Sequence, residues 1–287
     1  MTKKGNSRGL IYRKIDLHIH TTYSDGTNTP KEIMKAVRDL EFSTIAITDH
    51  DCIDGYFAAR KYARKYDIEL IPSVEISTYF QSYDVHILAY FIDIHNKKLI
   101  TLLNFMQKAR TKRAKQMLEK LENFNIYLTM KQVYKFVGNK KVIGRPHIAN
   151  AMLKNGFIEN YEEAYYKYIG NDCLAYVRKP AYTPAEIFQI INDAGGLSVL
   201  AHPGVIKNDF LIPDLVELGL NGLEVFYPLH TIYQKNIYIE LAHRYNLLIT
   251  GGSDFHGNNK KNNELGRVTL KEEYLDKLKS KLRKMTE

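Results

Sequence analysis

Short apolar segments recur along the 287-residue chain, and most of them are separated by stretches with the spacing of amphipathic helices. The predicted strands cover residues 15–19, 44–48, 69–76, 84–93, 197–201, 222–226 and 247–250. Two helices begin with the same Thr-Pro-x-Glu pattern, at Thr29 and Thr183, which combines a capping box with proline at the first helical position. Because strands and helices alternate, we predict an α/β fold with a parallel sheet.

The number of predicted strands is compatible with two architectures. Seven strands are one fewer than the usual (β/α) barrel contains, and the same strands could also wind into an open sheet. The pattern breaks between residues 97 and 172, where the sequence is helical, rich in Tyr and Lys, and begins with one long amphipathic helix over residues 99–124. We therefore predict a barrel domain of residues 12–96 and 173–287, interrupted by a helical insertion subdomain of residues 97–172.

Composition and charge exclude only a few classes of function. The net charge of +9 favours anionic partners such as phosphorylated metabolites or nucleic acid, although an AT-rich genome would produce a similar excess of lysine. The two cysteines, Cys52 and Cys173, belong to no paired motif, which argues against a disulfide scaffold or a cysteine zinc site. We find neither a signal-peptide pattern nor an apolar run of membrane-spanning length, so we expect a cytoplasmic protein that does not contact membranes.

Residue types that bind metals occur at the ends of the predicted strands. His18 and His20 stand at positions i and i+2, which point to the same face of a strand. Glu75 lies in an apolar strand, where an unpaired carboxylate would be costly and coordination would relieve the cost. The full set of candidate ligands is His18, His20, Asp25, His50, Glu75, His86, His202, Asp254 and His256. Each one taken singly could instead be a structural, hydrogen-bonded residue, and His86 lies nearer the middle of its strand than the others.

A barrel brings these strand ends to one face, where enzymes of this architecture hold their active sites. The ligands are imidazoles and carboxylates without thiolate, a set that suits Mn, Zn or Fe, and nine of them are enough for two or three divalent ions. Clustered ions activate water and hold the oxygens of an in-line displacement at phosphorus. Hydrolysis of a phosphoester is the first reaction to consider, and amide or ring hydrolysis by a binuclear amidohydrolase is the second.

Several motifs in this order resemble those of one family. They are Asp16-Leu-His-Ile-His20, Ser24-Asp25-Gly26, Thr48-Asp-His50-Asp51, Glu75-Ile-Ser77, His86-Ile-Leu, Ala201-His202-Pro203, Glu224-Val-Phe and Gly252-Ser-Asp254-Phe-His256. The chain resembles the PHP (polymerase and histidinol phosphatase) family of metal-dependent phosphoesterases over residues 16–257. Gly144-Arg145-Pro146-His147, in the insertion, is similar to the subfamily that includes a 3′,5′-nucleoside bisphosphate phosphatase and a 5′→3′ exonuclease acting on short RNA.

The resemblance implies a distorted (β/α)7 TIM-like barrel with three metal ions. One ion would be bound by His18, His20, Glu75 and Asp254. A second would be bound by Glu75, His86 and His202, and a third by Asp25, His50 and His256. The substrate phosphate would contact Arg145 and His147, and Asp51 or His256 would help to protonate the leaving oxygen.

The substrate implied is a small phosphorylated molecule: the 3′-phosphate of a nucleoside 3′,5′-bisphosphate, or a short 5′-phosphorylated oligonucleotide. Two alternatives stay open, a histidinol-phosphate-type phosphatase and a catalytically inactive nucleic-acid-binding PHP module. Arg178 and Lys179, just after the insertion, are weaker candidates for phosphate contacts. Cys52 departs from the family pattern, which has threonine there, and its role is open.

Overall fold

The computed structural model describes residues 13–137, 142–259 and 264–286. The basic N-terminal segment and residue 12, at which the barrel domain is predicted to begin, lie outside the described residues. The α/β prediction is confirmed, because strands and helices alternate over most of the chain. The strands are β1 Lys14–Ile19, β2 Phe42–Ile47, β3 Glu69–Ile71, β4 Ser73–Phe80, β5 Tyr83–Tyr90, β6 Leu197–Leu200, β7 Gly222–Phe226 and β8 Leu248–Gly251.

The helices fall between the strands and in one long segment between β5 and β6. They are α1 Pro30–Asp39, α2 Asp54–Tyr66, α3 Lys97–Leu121, α4 Met130–Val137, α5 Arg145–Lys154, α6 Tyr161–Glu163, α7 Pro184–Asp193, α8 Pro203–Ile206, α9 Leu211–Glu217, α10 Ile232–Arg244 and α11 Glu272–Thr286. A π-helical segment, Ala164–Ile169, extends α6 and is not foreseen by the sequence pattern. None of the helices in the described ranges combines the length and apolar character needed to cross a membrane.

The strands form two sheets in chain order, β1-β2-β3 and β4-β5-β6-β7-β8. Two isolated parallel bridges supplement them, from Ile19 to Phe255 and from His50 to Glu75. The first bridge links the end of β1 to the segment after β8, and the second links the segment after β2 to β4. Polar residues that follow different strands are thereby brought to one edge.

The prediction of one strand over residues 69–76 is wrong. Pro72 separates β3 from β4, and the two strands belong to different sheets. Proline has no N–H to donate to a strand ladder, so the pairing of β3 with β2 stops before it. The chain therefore has eight strands among its described residues instead of the seven predicted.

The prediction of a parallel sheet is wrong for β5, which runs antiparallel to both β4 and β6. Only Gln81 and Ser82 separate β4 from β5, and Gln81 has a φ of 54°. A two-residue connection is long enough for a hairpin, whereas a parallel crossover needs a dozen residues or more. All other strand pairs are parallel.

The predicted helix starts are confirmed. Thr29 and Thr183 each accept a hydrogen bond from the backbone N–H of the glutamate three residues later, and that glutamate bonds back to the threonine N–H. Thr231 starts α10 in the same way with Gln234. These contacts satisfy amide groups that have no partner within the helix.

Helix α3 joins two separate apolar cores. Leu99, Leu102, Leu103 and Met106, in its first half, pack against the residues of β4, β5 and α7. Ala114, Met117, Leu118 and Leu121, in its second half, pack instead with residues of α4, α5 and the π-helical segment. The described part of residues 97–172 contains no strand.

Candidate metal centre

Five histidines and one carboxylate stand at or near strand ends along one edge of the sheets. His18 lies in β1 and His20 directly follows it, and both side chains are fully buried. His50 follows β2, His202 follows β6 by two residues, and Asp254 and His256 follow β8. The register between these parallel strands brings residues that are more than two hundred positions apart in sequence into contact.

His86 reaches the same edge from the opposite direction. It is the fourth residue of β5, which runs antiparallel to its neighbours, so the early part of β5 lies beside the late part of β4 and β6. Ser77 pairs with His86, and the backbone N–H of Ala201 donates to the His86 carbonyl. The position of His86 away from the end of its strand is therefore a consequence of strand direction.

Four ligand atoms converge in the first group. The Nε2 atoms of His18 and His20 lie 3.1 Å apart, and they lie 3.4 Å and 3.1 Å, respectively, from Oε2 of Glu75. Oδ1 of Asp254 lies 3.5 Å from His18 Nε2 and 3.3 Å from His20 Nε2. Ligand atoms placed about 2.1 Å from a common ion would be separated by roughly 3.0–3.4 Å in octahedral or tetrahedral geometry.

Glu75 also faces a second group through its other oxygen. Its Oε1 lies 3.0 Å from His86 Nδ1 and 3.1 Å from His202 Nε2. A third group surrounds Asp25, whose Oδ1 lies 3.3 Å from His256 Nε2 and whose Oδ2 lies 3.7 Å from His50 Nε2. Glu75 is thus the side chain that the first two groups share.

The contacts within these groups are close but are not hydrogen bonds in several cases. His50 Nδ1 lies 3.0 Å from Glu75 Oε2, yet both atoms are buried and neither forms a hydrogen bond within the described residues. The same is true of His86 Nδ1. Buried polar atoms without a hydrogen bond are costly, and a cation between them would remove the cost. The donor set of imidazoles and carboxylates therefore fits divalent transition metals.

The side chains that could jointly hold an ion fall into overlapping groups. These are His20 with Asp25, His50 and His256; His18 with His202 and Asp254; His18 with His20 and Glu75; and His50 with Glu75 and His86. Together they contain all nine ligands predicted from the sequence. They differ from the sets implied by the resemblance in that His20 also faces Asp25 and His50 also faces Glu75.

Imidazoles and carboxylates lie close together in this cluster, and they shift each other's pKa values. Burial opposes the charged form of Glu75, but the neighbouring His50 and His86 outweigh burial and hold the pKa of Glu75 well below its usual value. Burial alone dominates at His50 and lowers its pKa to about 4. Burial likewise opposes charge on His20, yet the close carboxylates of Asp254 and Glu75 raise its pKa to about 9.

Glu224 orients two of the histidines, although the sequence marked it only as part of a motif. His18 Nδ1 donates to Glu224 Oε1 at 2.9 Å, which leaves Nε2 of the same ring as the atom that faces Glu75 and Asp254. The backbone N–H of His202 donates to Glu224 Oε2 at 2.8 Å. A carboxylate behind a histidine fixes its tautomer and ring orientation, as is usual in metal sites.

His202 adopts a backbone conformation that needs support. Its φ is 31° and its ψ is 59°, in the left-handed region that non-glycine residues rarely adopt. His230 stabilises the turn that follows, because its Nε2 accepts from the Gly204 N–H at 3.1 Å while its Nδ1 donates to the Val225 carbonyl at 2.9 Å. The two bonds set His230 as a neutral ring with a defined tautomer.

Asp51, predicted as a catalytic candidate, is held in an ion pair. Its Oδ2 lies 2.6 Å from Arg110 Nε, and its Oδ1 accepts from the Ser77 N–H at 2.9 Å. Burial opposes the charge of Asp51, but Arg110 and Lys179 outweigh burial and lower its pKa. His256, the other candidate, donates from Nδ1 to the Asp254 carbonyl at 2.8 Å and presents Nε2 to Asp25.

The nine candidate ligands form a candidate metal-binding cluster, and a cavity of about 320 Å³ opens over it. The residues that line it include cluster residues such as Glu75 and Asp25 and four cationic side chains, Arg110, Arg113, Arg145 and Lys179. Burial and the neighbouring Arg110 lower the pKa of Lys179 to about 7. Tyr161 of α6 and Tyr165 of the π-helical segment that extends α6 also line the cavity.

The two substrate-binding candidates in the insertion occupy different places. Arg145 lines the cavity at the start of α5, where Nη1 donates to Asn171 Oδ1 at 2.6 Å and Nη2 lies 3.6 Å from Asp84 Oδ2. His147 is buried behind it, and its Nδ1 accepts from the Gly144 N–H at 2.9 Å. His147 therefore shapes the turn that presents Arg145 and is not part of the cavity wall.

Arg110 and Arg113 were not among the site residues predicted from the sequence. Both are on α3, three residues apart, and both are buried although their neighbours Lys112 and Lys115 are exposed. Their spacing continues the apolar face of α3, so an arginine pair at buried positions of an amphipathic helix was the available signal. Arg178 is placed on the surface, with its guanidinium 4.1 Å from the centre of the Tyr79 ring.

Comparison with known proteins agrees with this geometry. The family model described as "PHP domain" matches residues 16–192. The chain is 30% identical to a 5′-3′ exoribonuclease of Haemophilus influenzae, over 85% of this chain and 90% of that protein. It is 29% identical to a 3′,5′-nucleoside bisphosphate phosphatase of Chromobacterium violaceum, over 88% of this chain and 91% of that protein.

Two solved structures are similar over almost the whole chain. A protein of Bifidobacterium adolescentis, described as a candidate metal-dependent phosphoesterase, has a TM-score of 0.85 and 30% identity, covering 93% of this chain and 95% of its own. A protein of Chromobacterium violaceum, described as an amidohydrolase with bound sulfate and no metal, has a TM-score of 0.84 and 28% identity, covering 93% and 96%.

Proposed function

The chain belongs to the PHP domain family and is a metal-dependent phosphoesterase, and on that premise we propose that it hydrolyses phosphate esters of nucleotides. The bond cleaved is the 3′-phosphate ester of a nucleoside 3′,5′-bisphosphate or the first phosphodiester of a short 5′-phosphorylated oligonucleotide. The proposal extends to this chain the kinds of substrate named for its relatives from C. violaceum and H. influenzae.

One observation carries the proposal: the metal-binding cluster and four cationic side chains face the same cavity. A single phosphate at the cluster would leave Arg113 and Lys179, which form no ion pair among the described residues, without an anion, whereas Arg110 is paired with Asp51 and Arg145 lies 3.6 Å from Asp84. A substrate with two phosphates would place the reacting phosphate at the cluster and the other at Arg113, Lys179 or Arg145. Arginine is well suited to this contact because its planar guanidinium binds phosphate in a bidentate manner.

We assign the nine predicted ligands to two or three divalent ions of Mn, Zn or Fe. Nitrogen donors at distances of 3.0–3.4 Å from the carboxylate oxygens of Glu75 support this assignment. Bound divalent ions would lower the pKa of a water molecule and polarise the phosphoryl oxygens. The two sheets and the two bridges between them support a distorted (β/α)7-like barrel as the frame of this site, with residues 97–172 as an insertion that supplies part of the cationic wall.

The protein's own residues would orient the substrate and manage protons. Arg145, held by Asn171, would bind a phosphate that does not react. His256 presents Nε2 at the cavity with its other nitrogen already bonded, which suits it to donate a proton to the leaving oxygen or to bind an ion. For Asp51 we propose a positioning role, because its two oxygens are occupied by Arg110 and Ser77.

A substrate panel tests the function. Purified protein loaded with Mn²⁺ would be assayed for phosphate or nucleotide release from adenosine 3′,5′-bisphosphate, a 5′-phosphorylated oligoribonucleotide and histidinol phosphate. We expect kcat/KM to be highest for one of the two nucleotide substrates. A preference for histidinol phosphate would overturn the proposed substrate class.

Two variants distinguish a metal-dependent enzyme from a protein that only binds nucleic acid. His18→Ala and Glu75→Ala should abolish release of phosphate or nucleotide, because each removes a ligand of the first group. Elemental analysis of the purified wild-type protein should find bound transition metal. A wild-type protein that contains no transition metal and releases neither phosphate nor nucleotide would instead favour an inactive binding module, and activity retained in either variant would contradict the assignment of these ligands.

A further inference from the structure

Two arginines of the metal cavity lie over the ring of one tyrosine. The guanidinium carbon of Arg113 lies 5.1 Å from the centre of the Tyr176 ring, and that of Arg145 lies 5.7 Å from the same centre. Both arginines line the cavity, whereas Tyr176 does not. We propose that the Tyr176 ring positions Arg113 and Arg145 as a two-arginine clamp, which binds the substrate phosphate that does not react.

The two arginines of the clamp come from different helices of the insertion. Arg113 is in the second half of α3, and Arg145 is the first residue of α5. Tyr176 lies beyond the insertion, in the segment that leads to α7. Burial and the neighbouring charge of Arg145 lower the pKa of Arg113, so the two guanidiniums are close enough to repel each other. The fold therefore needs a contact that keeps two like charges beside one ring.

A tyrosine ring holds a guanidinium in a different way from a carboxylate. Cations are attracted to the face of an aromatic ring when they lie within about 6 Å of its centre. A carboxylate instead occupies N–H donors in the guanidinium plane, as Asp51 does for Arg110. Contacts with the Tyr176 ring thus leave N–H donors available for a phosphate, which arginine binds through its planar fork.

The hydrogen bonds of the two arginines leave some of their N–H groups without an acceptor. Arg113 Nε donates to the Val177 carbonyl at 2.6 Å, and its Nη2 is buried without a hydrogen bond within the described residues. Arg145 Nη1 donates to Asn171 Oδ1 at 2.6 Å, whereas its Nη2 lies 3.6 Å from Asp84 Oδ2, beyond hydrogen-bond distance. Unsatisfied donors of this kind are costly, and the oxygens of a phosphate would satisfy them.

Tyr176 is itself fixed relative to the metal-binding cluster. Its hydroxyl lies 3.2 Å from the hydroxyl of Tyr79, at hydrogen-bond distance, and Tyr79 belongs to β4, the strand that contains Glu75. The backbone N–H of Tyr176 donates to the Cys173 carbonyl at 3.0 Å, and its own carbonyl accepts from Lys120 Nζ at 3.0 Å. The clamp is thereby held in a defined place beside the cluster, as a substrate with two phosphates requires.

The inference rests on the proposed function and assigns one of its two phosphate sites. Steady-state kinetics of the Mn²⁺-loaded protein would compare adenosine 3′,5′-bisphosphate with adenosine 3′-phosphate, which carries only the reacting phosphate. The measured quantity is the ratio of kcat/KM for the bisphosphate to kcat/KM for the monophosphate. A defect in the metal-binding cluster would lower both values together, whereas a defect in the clamp would lower the ratio.

Two variants of one residue separate the ring from its hydroxyl. Tyr176→Leu removes the ring, and Tyr176→Phe keeps it. We expect Tyr176→Leu to lower the ratio about tenfold or more, because hydrogen bonds between charged partners contribute effects of this size. Tyr176→Phe should keep the ratio within about twofold of the wild type. A wild-type ratio in Tyr176→Leu, or an equal fall in both variants, would overturn the role of the ring.

Tyr66 provides a matched control. Its ring also lies near two cations, with the Arg38 guanidinium carbon 4.8 Å and Lys65 Nζ 5.7 Å from its centre. It is the last residue of α2 and does not line the metal cavity. Tyr66→Leu should keep the wild-type ratio. Equal falls in Tyr66→Leu and Tyr176→Leu would show that the effect is not specific to the clamp and would overturn the inference.

A further pair of variants shows whether the ring acts through the arginines. Tyr176→Leu should have little additional effect on the ratio when Arg113→Gln and Arg145→Gln are already present, because the side chains that it positions are gone. A full additional effect would contradict the clamp. Thermal unfolding would check that each variant is folded, and Tyr176→Met, which fills a similar space without an aromatic face, replaces Tyr176→Leu if that variant does not fold.

Calorimetric titration with adenosine 5′-phosphate distinguishes failure of the clamp from failure of the proposed function, because it needs no turnover. The Kd should be about tenfold higher in Tyr176→Leu than in the wild type. A wild-type protein that shows this difference but hydrolyses neither substrate would support the clamp and contradict the proposed function. Equal Kd values in an active wild type and in Tyr176→Leu would overturn the clamp and leave the proposed function standing.

Discussion

Arg110 Nε lies 2.6 Å from Asp51 Oδ2, and this contact joins the helical insertion to the segment that carries His50. Both side chains are buried, and Arg110 Nη2 also donates to Ser77 Oγ at 2.8 Å. Gln107 reinforces the contact by donating to the Asp51 carbonyl. The insertion is thus attached to the sheets directly beside the metal-binding cluster, and its arginines are positioned relative to that cluster.

The ion pair between Arg110 and Asp51 predicts that substitutions of the two residues have coupled effects on stability and catalysis. Asp51→Asn should lower the free energy of unfolding by roughly 3 kcal/mol, because it leaves the buried guanidinium of Arg110 without its counter-ion. We expect kcat to fall in both Asp51→Asn and Arg110→Gln, and to fall little further in the double variant. Denaturant unfolding and steady-state kinetics would measure these effects. If Asp51 were instead the proton donor, Asp51→Asn alone would remove the alkaline limb of the pH–rate profile.

Glu224 should control metal affinity without binding metal itself. Glu224→Gln keeps the size of the side chain but weakens the acceptor for His18 Nδ1 and the His202 N–H. Loss of such a supporting carboxylate typically lowers metal affinity about 10–100-fold. Titration of metal-free protein with Mn²⁺ by calorimetry would measure the change. Glu240→Gln, an exposed site on α10, is the control and should bind Mn²⁺ like the wild type.

Lys179 should make substrate binding depend on pH. Its pKa is lowered to about 7 by burial and by Arg110, so its positive charge is present below about pH 7 and is lost as the pH rises through that value. The KM for adenosine 3′,5′-bisphosphate should therefore increase from about pH 7 to pH 8.5, a range in which the phosphates are already dianionic. Lys179→Arg should flatten the dependence, since arginine stays charged. An identical KM–pH profile in the wild type and Lys179→Arg would contradict this role.

The capping box at Thr183 should contribute to stability but not to catalysis. Thr183→Ala removes the hydroxyl that accepts from the Glu186 N–H and should lower the free energy of unfolding by about 1 kcal/mol. Helix α7 packs on the sheet core and supplies no residue to the cavity wall. Thermal unfolding and kcat/KM, measured on the same preparation, should show a lower Tm with unchanged activity. A parallel loss of activity would mean that α7 positions the site.

Gly252 offers a test of how closely the metal-binding cluster is packed. A Cβ atom at this position would lie 2.4 Å from the His18 backbone nitrogen and 2.5 Å from the His18 Cβ, so β1 would have to move. We expect Gly252→Ala to lower metal stoichiometry and activity together. Gly195→Ala is not a suitable control, because Gly195 has a φ of 69° and would be strained for a different reason.

The local signals in the sequence led to much of the fold. Capping boxes at Thr29 and Thr183 and the apolar periodicity of α3 depend on neighbours within one or two turns, and the structure contains them at the predicted positions. The break at Pro72 was also readable, because proline cannot extend a strand ladder, but the apolar residues on both sides of it suggested a continuous strand. The antiparallel direction of β5 also had a signal in the sequence, because the two-residue connection between β4 and β5 is too short for a parallel crossover.

The sequence by itself determined the chemical identity of the site: nine imidazole and carboxylate side chains in motifs whose order matches one family. It did not determine which atoms face each other. The sharing of Glu75 between groups, the support of His18 by Glu224 and the meeting of Arg110 with Asp51 depend on register between strands and on the docking of α3. Such contacts join residues distant in sequence, and local periodicity carries no information about them, so only the tertiary structure decided them.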